Sequence, residues 1–142
     1  MTAAQGERSA MERLYGSWRL IWAMQSRDGV KRHHRGENPI GQIIYSPDGR
    51  MSATIMDPAW VDEPGQQLNG PEIFMAYAGP WDIVDDTVRH HLEICSWAAL
   101  VGHVLVRHFE WRGDDEIFLR SPPSTSKSGA VYQQELLWRR YG

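Results

Sequence analysis

The chain has 142 residues and a mass of 16.3 kDa, which suits a single domain spanning residues 1–142. Its 15 Lys and Arg against 18 Asp and Glu give a net charge of −3, and this acidic balance argues against binding to nucleic acid. The single cysteine, Cys95, excludes an internal disulfide framework and a multi-cysteine metal site. No stretch approaches the roughly 18 apolar residues of a membrane span, and the N-terminal residues lack the apolar core of a signal peptide. We therefore expect a cytoplasmic protein without a membrane partner.

Two elements are predicted at the start of the chain. Residues 9–12, Ser-Ala-Met-Glu, form a capping box, which predicts a short helix that runs to Tyr15 and ends at Gly16. A strand is predicted over residues 16–26, because apolar side chains recur there at every second position. These side chains are Trp18, Leu20, Trp22 and Met24.

A hairpin and a second helix are predicted next. Residues 42–45 and 51–55 flank Ser-Pro-Asp-Gly, a sequence typical of a tight turn between two strands. Residues 57–70 contain prolines and glycines and are predicted to form a long loop. Pro71 suits the first turn of a helix and Gly79 suits its end, so a short helix is predicted between strands three and four.

The rest of the chain is predicted to be strands joined by short turns. The predicted strands cover residues 81–84, 88–96, 103–111, 116–120 and 130–140. The count comes to about eight antiparallel strands without the strand–helix alternation of a parallel sheet. The predicted fold is all-β: an eight-stranded up-and-down barrel with a short N-terminal helix and one inserted helix.

Several sequence blocks support a resemblance. Gly16-Ser17-Trp18 looks like the Gly-x-Trp signature of lipocalins and related calycin barrels. Further blocks resemble the bacterial lipocalin-like family in order and spacing: residues 41–52, 76–79, 88–93, 102–110 and 136–140. The resemblance implies a barrel with a hydrophobic pocket and no particular reaction. It also implies a structural Trp18 covered by Arg139 or Arg140, and Leu105 departs from the polar residue expected there, which makes the pocket drier.

Strand alternation predicts which side chains face the barrel interior. In the strand from residue 88, the more apolar face carries Val88, His90, Leu92 and Ile94. In the strand from residue 103, the face with more apolar area carries His103, Leu105, Arg107, Phe109 and Trp111. The predicted ligand-binding residues are Trp22, Trp81, Trp138, Phe109, Leu105, Phe74 and Tyr77, an aromatic wall around a few polar groups.

His90, Arg107 and Tyr45 are the predicted catalytic residues. The pKa of histidine suits proton transfer near neutrality, an arginine holds a carboxylate or enolate oxygen, and a tyrosine donates a hydrogen bond. A buried, hydrogen-bonded structural role for His90 is equally compatible with the sequence. Arg107 needs either an acidic ligand or an internal partner, for which Glu135 is the candidate, although the apolar pattern of the last strand turns Glu135 outward.

The remaining histidines do not predict a metal site. Neighbouring residues on a strand point to opposite faces, so neither His33-His34 nor His90-His91 can hold one ion. The basic cluster of residues 31–35 is interpreted as a solvated loop at the barrel mouth that can also attract an anionic substrate. No cofactor is predicted. Because the chain resembles calycin-type barrels, haem binding through one of its six histidines remains an alternative.

Two functions remain from the sequence. The first is an enzyme without a cofactor that isomerises, cyclises or dehydrates a hydrophobic or aromatic metabolite, as in a biosynthetic pathway. The alternative is a carrier that binds such a molecule unchanged.

The loop and helix of residues 57–79 are expected to form either a lid or a plug over the mouth. Outward Ile21, Val104 and Val106 lead us to expect a homodimer.

Overall fold

The computed structural model describes residues 10–62 and 73–142, which form one antiparallel barrel. Residues 10–14 are helical, and short 3-10 helices cover Pro58–Asp62 and Ala98–Leu100. The strands are β1 (Gly16–Arg27), β2 (Val30–Arg32), β3 (Ile40–Tyr45), β4 (Arg50–Met56), β5 (Phe74–Val84), β6 (Thr87–His91), β7 (Ile94–Cys95), β8 (Val104–Arg112), β9 (Glu116–Arg120), β10 (Ser124–Thr125) and β11 (Val131–Arg140).

Eight of these strands close the barrel. They pair in the order β1-β3-β4-β5-β6-β8-β9-β11, and β11 pairs back onto β1. The short strands β2, β7 and β10 pair onto β1, β5 and β11. The predicted eight-stranded antiparallel barrel is therefore confirmed. No helix in the described part of the chain is long and apolar enough to cross a membrane.

The two ends of the barrel differ in their connections. The tight turns, at residues 46–49, 85–86 and 113–115, all lie at the end where β1 begins. The longer connections, residues 28–39, 92–103 and 121–130, lie at the opposite end, as do the end of β4 and the start of β5. This strand order confirms that the connections after β1 and β4 share one end, which is the mouth.

Trp18 seals the closed end. Its side chain is fully buried, and its indole N–H donates to the Leu14 carbonyl at 2.9 Å. The Arg140 guanidinium lies 4.1 Å above the Trp18 ring and donates to the Tyr15 carbonyl at 2.9 Å. The structural role expected for Trp18, with an arginine as its cover, is confirmed.

A β-bulge in β1 corrects the predicted position of Trp22. Leu20 pairs with Trp138, but Trp22 pairs with Leu137, so one extra residue separates the two pairs. Side chains after the bulge exchange faces, and Trp22 packs on the outside of the barrel against Phe118, with ring centroids 5.9 Å apart. The predicted inward orientation of Trp22 is wrong because strict alternation fails at the extra residue.

The helix predicted between residues 71 and 79 is also wrong where the structure describes it. Residues 74–79 belong to β5, whose side chains alternate between buried and half-buried. Pro71 and Glu72 lie outside the described residues. Gly79 is a residue of β5 rather than a helix stop. A glycine is required there because an added Cβ would lie 1.7 Å from the His91 carbonyl oxygen.

The strand predicted over residues 88–96 divides into β6 and β7. His90 and Leu92 are buried as predicted, but Ile94 is 64% exposed because the chain leaves the regular ladder after His91. His103 precedes β8 and is exposed, which corrects its predicted inward position. The homodimer expected from outward apolar residues stays a prediction.

Candidate ligand-binding and active site

The barrel encloses a cavity of about 320 Å³ that extends toward the mouth. Most of its wall is apolar, and a few polar groups face into it, as in small-molecule sites. The lining residues are Gln25, His34, Arg35, Ile43, Ile55, Met75, Tyr77, His90, Leu100, Leu105, Arg107, Leu119, Gln134, Leu136 and Trp138.

His90 bridges two tyrosine hydroxyls in the cavity wall. Its Nε2 lies 2.7 Å from the Tyr45 hydroxyl, and its Nδ1 lies 3.1 Å from the Tyr77 hydroxyl. β6 places His90 opposite Trp81 of β5, and alternation along β5 turns Tyr77 to the same interior. All three side chains are buried, and only His90 and Tyr77 line the cavity.

The two distances indicate the direction of these hydrogen bonds. A neutral imidazole has one N–H donor and one nitrogen acceptor. The short contact suits a Tyr45 hydroxyl that donates to Nε2, and the longer one suits an Nδ1–H that donates to Tyr77. We assign this tautomer, which leaves the Tyr77 O–H as a donor toward the cavity.

Burial fixes the charge state of this chain of groups. Burial, together with the charges of Arg107 and His91, lowers the pKa of His90 to about 3, so the imidazole is neutral at physiological pH. Burial raises the pKa of Tyr45 well above its usual range and also raises the pKa of Tyr77. The pKa near neutrality expected for His90 from the sequence is therefore corrected.

Arg107 presents a cation to the same cavity. It lies on β8, and its Nη1 donates to the Val106 carbonyl at 2.9 Å. Burial lowers the pKa of Arg107, yet a guanidinium stays protonated in proteins. Among the cavity-lining residues within ranges 10–62 and 73–142, none is an aspartate or a glutamate. Glu135 faces the outside, where it forms an ion pair with Lys31 at 3.3 Å, so it is not the internal partner of Arg107.

The predicted solvated loop contributes two buried residues. His34 is 5% exposed and Arg35 is 7% exposed, and both line the cavity. Burial and the neighbouring charges of Arg35 and Arg32 lower the pKa of His34 to about 3. Neither ring nitrogen of His34, nor the indole nitrogen of Trp138, has a hydrogen-bond partner among the described residues.

The structure brings together only part of the residue set predicted from sequence. Five of the predicted residues line the cavity: His90, Arg107, Tyr77, Leu105 and Trp138. Tyr45 lies behind the cavity wall and is hydrogen-bonded to His90.

Four predicted residues lie elsewhere. Trp22 and Phe74 are on outer faces, and Phe74 lines a surface groove beside Ile40 and Met56. Trp81 packs on Tyr45 near the closed end, with ring centroids 4.7 Å apart, and Phe109 packs on the core beside Trp111.

Sequence reasoning missed several polar residues of this wall. The position of Gln25 was missed because the bulge in β1 reverses its predicted face, and that of Gln134 because a single polar residue on an otherwise apolar face gives no signal of its own. His34 and Arg35 escaped because a basic run in a loop is usually solvated. The signal that could have identified them is a histidine and an arginine in the connection between β2 and β3, which lies at the mouth.

The match to a family model agrees with this barrel. Residues 15–141 match the family described as lipocalin-like domain. No curated protein matches the sequence significantly. Among solved structures, the chain is similar to a redesigned beta barrel, with 12% sequence identity, coverage of 94% of this chain and 96% of that chain, and a TM-score of 0.46. At that TM-score the likeness carries no argument about this chain.

Proposed function

Because the chain belongs to the lipocalin-like domain family, we propose that its barrel binds a small, mainly apolar molecule that carries an acidic oxygen. The observation that carries this proposal is Arg107, a cation in a cavity whose described lining contains no carboxylate. Arg107 is half-buried, and a guanidinium that faces a mainly apolar cavity without a negative partner favours an anion beside it. A carboxylate or an enolate supplies that charge.

The other donors of the cavity suit the same ligand. The Trp138 indole N–H has no hydrogen-bond partner among the described residues, and the Tyr77 O–H is available as a donor in the tautomer that we assign to His90. An oxygen atom of the ligand accepts from such donors, while the aliphatic wall contacts its apolar body. The ligand is therefore an acid whose body is a ring system or short chain that fits about 320 Å³.

Binding of 2-naphthoate and of its neutral amide tests this proposal. We expect Arg107→Met to lower the affinity for 2-naphthoate at least tenfold and to change the affinity for the amide less than threefold. Arg89→Met is the matched control, because Arg89 lies on neighbouring β6 and pairs with Asp82 on the outside at 2.6 Å. Equal affinity of the wild type and Arg107→Met for 2-naphthoate, measured by calorimetry, contradicts the proposal.

A second candidate function is enzymatic and rests on two donors that face one cavity. The Tyr77 hydroxyl and the Arg107 guanidinium can together stabilise the oxygen of an enolate, the intermediate of many isomerisations, cyclisations and dehydrations. In this role His90 is a positioning residue that orients Tyr77, since a pKa of about 3 makes it a weak base. The carrier alternative uses the same contacts without turnover.

Exchange of the α-protons of 2-tetralone in D₂O distinguishes the enzyme from the carrier. For an enzyme, we expect the protein to accelerate this exchange over buffer and Tyr77→Phe to reduce the acceleration at least tenfold. Tyr141→Phe is the control, because Tyr141 is exposed and lies outside the cavity lining. Binding of 2-tetralone without any acceleration supports the carrier.

A further inference from the structure

The barrel wall has a gap between β8 and the segment that follows β9. β9 pairs with β8 only from His108 to Arg112, so residues 104–107 of β8 have no partner in β9. Beyond Arg120 the chain stays on β11, where the Ser121 N–H donates to the Gln134 carbonyl at 2.9 Å. Pro122 and Pro123 follow, and because proline has no N–H, they cannot extend the ladder to β8. We call this gap the β8 seam.

The β8 seam joins the internal cavity to a surface groove. A groove of about 380 Å³ lies along the outer side of the gap. Gln25, Leu105, Arg107 and Gln134 line both the groove and the cavity. The outer part of the groove is formed by Val106, Pro122, Pro123, Ser124 and Tyr132, among others. Within the described ranges, the groove lining contains no aspartate or glutamate.

The Arg107 guanidinium occupies the place of the missing strand. Phe109 donates its N–H to the Asp86 carbonyl on the β6 side, so by alternation the backbone groups of Val106 point to the opposite side, toward the seam. The Val106 carbonyl accepts from Arg107 Nη1 at 2.9 Å, where a β9 residue would otherwise donate. The cation that we assign to the ligand therefore lies in the opening rather than at the bottom of the cavity.

We propose that the β8 seam is a lateral opening through which the polar end of the ligand extends into the groove. The apolar body then occupies the cavity, neutral amide groups pass through the opening beside Gln25 and Gln134, and a terminal carboxylate in the groove faces Arg107 and Ser124. This arrangement fits an amphipathic acid longer than the cavity, such as an aromatic acyl group joined to an amino acid or short peptide. The ligand class rests on the proposed function, whereas the opening rests on the strand pairing and on the residues that line both the groove and the cavity.

Thiol labelling tests the opening without any ligand. In a Cys95→Ser background, we expect Leu105→Cys to react with the anionic reagent 2-sulfonatoethyl methanethiosulfonate. Adding Ser124→Trp should slow the reaction at least tenfold. Thr125→Trp is the matched control, because Thr125 is the neighbouring residue of β10 and does not line the groove. If Leu105→Cys destabilises the barrel, Gln134→Cys replaces it. Reaction rates that Ser124→Trp leaves unchanged overturn the proposal.

Two probes with one aromatic body test the ligand class. We expect N-(2-naphthoyl)glycylglycine to bind the wild type within tenfold of 2-naphthoate. Ser124→Trp should lower the affinity for N-(2-naphthoyl)glycylglycine, the long probe, at least tenfold and the affinity for 2-naphthoate at most twofold. Thr125→Trp should change neither affinity. A long probe that does not bind, or that Ser124→Trp does not weaken, overturns the extended ligand while 2-naphthoate still supports the proposed function. If 2-naphthoate binding is independent of Arg107, the proposed function fails, and the thiol rates still decide the opening.

Discussion

The Tyr45 hydroxyl and His90 Nε2 lie 2.7 Å apart in a part of the barrel where both side chains are about 1% exposed. Neither group has access to water, so each depends on the other for its hydrogen bond. In the tautomer that we assign, the Tyr45 O–H donates to Nε2 and the Nδ1–H points to Tyr77, so Tyr45 affects the cavity without lining it.

Removal of the Tyr45 hydroxyl should therefore destabilise the protein and alter the cavity. Tyr45→Phe leaves His90 Nε2 without its donor, and we expect a loss of about 1–3 kcal/mol in the free energy of unfolding. Urea denaturation measures this change. Tyr141→Phe, at a residue that is 47% exposed, should change stability by less than about 0.5 kcal/mol. A loss no larger than that of the control contradicts the assigned hydrogen bond.

Acid should destabilise the barrel through His34 and His90. The pKa of each is lowered to about 3, against an ordinary value of 6.5 in the unfolded chain. Below pH 6.5 the unfolded state binds protons that the folded state does not, so stability is fully present above pH 6.5 and is lost as pH falls toward 3. The slope is about 1.4 kcal/mol per pH unit for each histidine.

The variant His34→Leu isolates one of these contributions. It should reduce the pH dependence of the free energy of unfolding between pH 6 and 4 by about 1.4 kcal/mol per pH unit. His33→Leu is the matched control, because His33 is the adjacent residue and is exposed. Parallel curves for the wild type and His34→Leu, from urea titrations at several pH values, would show that His34 does not stay neutral in the folded state.

Gly79 should tolerate no side chain. A Cβ at this position would lie 1.7 Å from the backbone oxygen of His91, so Gly79→Ala must displace one strand from another. We expect a loss above about 3 kcal/mol, in the range of severe overpacking. Gly41→Ala is the comparison, since its nearest contact would be the Leu20 side chain at 3.1 Å, and it should cost less. Similar thermal shifts for both variants would contradict this ranking.

These residues also explain how far the sequence predicts the molecule. Period-two patterns and turn residues were enough for the barrel, because strands such as β3, β4 and β5 have one buried face. The inward positions of His90 and Arg107 followed from the same alternation. Gly79 was misread because a glycine that ends a helix and one that admits a neighbouring backbone look alike in sequence. The hydrogen bonds of His90 could not be predicted, since Tyr45 and Tyr77 lie 45 and 13 residues away along the chain.

The bulge in β1 leads to a prediction that separates stability from binding. Trp22 packs outside the barrel on Phe118, whereas Trp138 lines the cavity, although sequence alternation had assigned both to the ligand. Trp22→Ala should destabilise the protein by about 2–4 kcal/mol, because it removes a large ring from a partly buried apolar cluster. It should leave the affinity for 2-naphthoate within twofold of the wild type. Trp138→Phe should lower that affinity at least fivefold, because it removes the indole N–H and part of the cavity wall. If Trp22→Ala weakens the probe as strongly as Trp138→Phe, the outward position of Trp22 after the bulge is wrong.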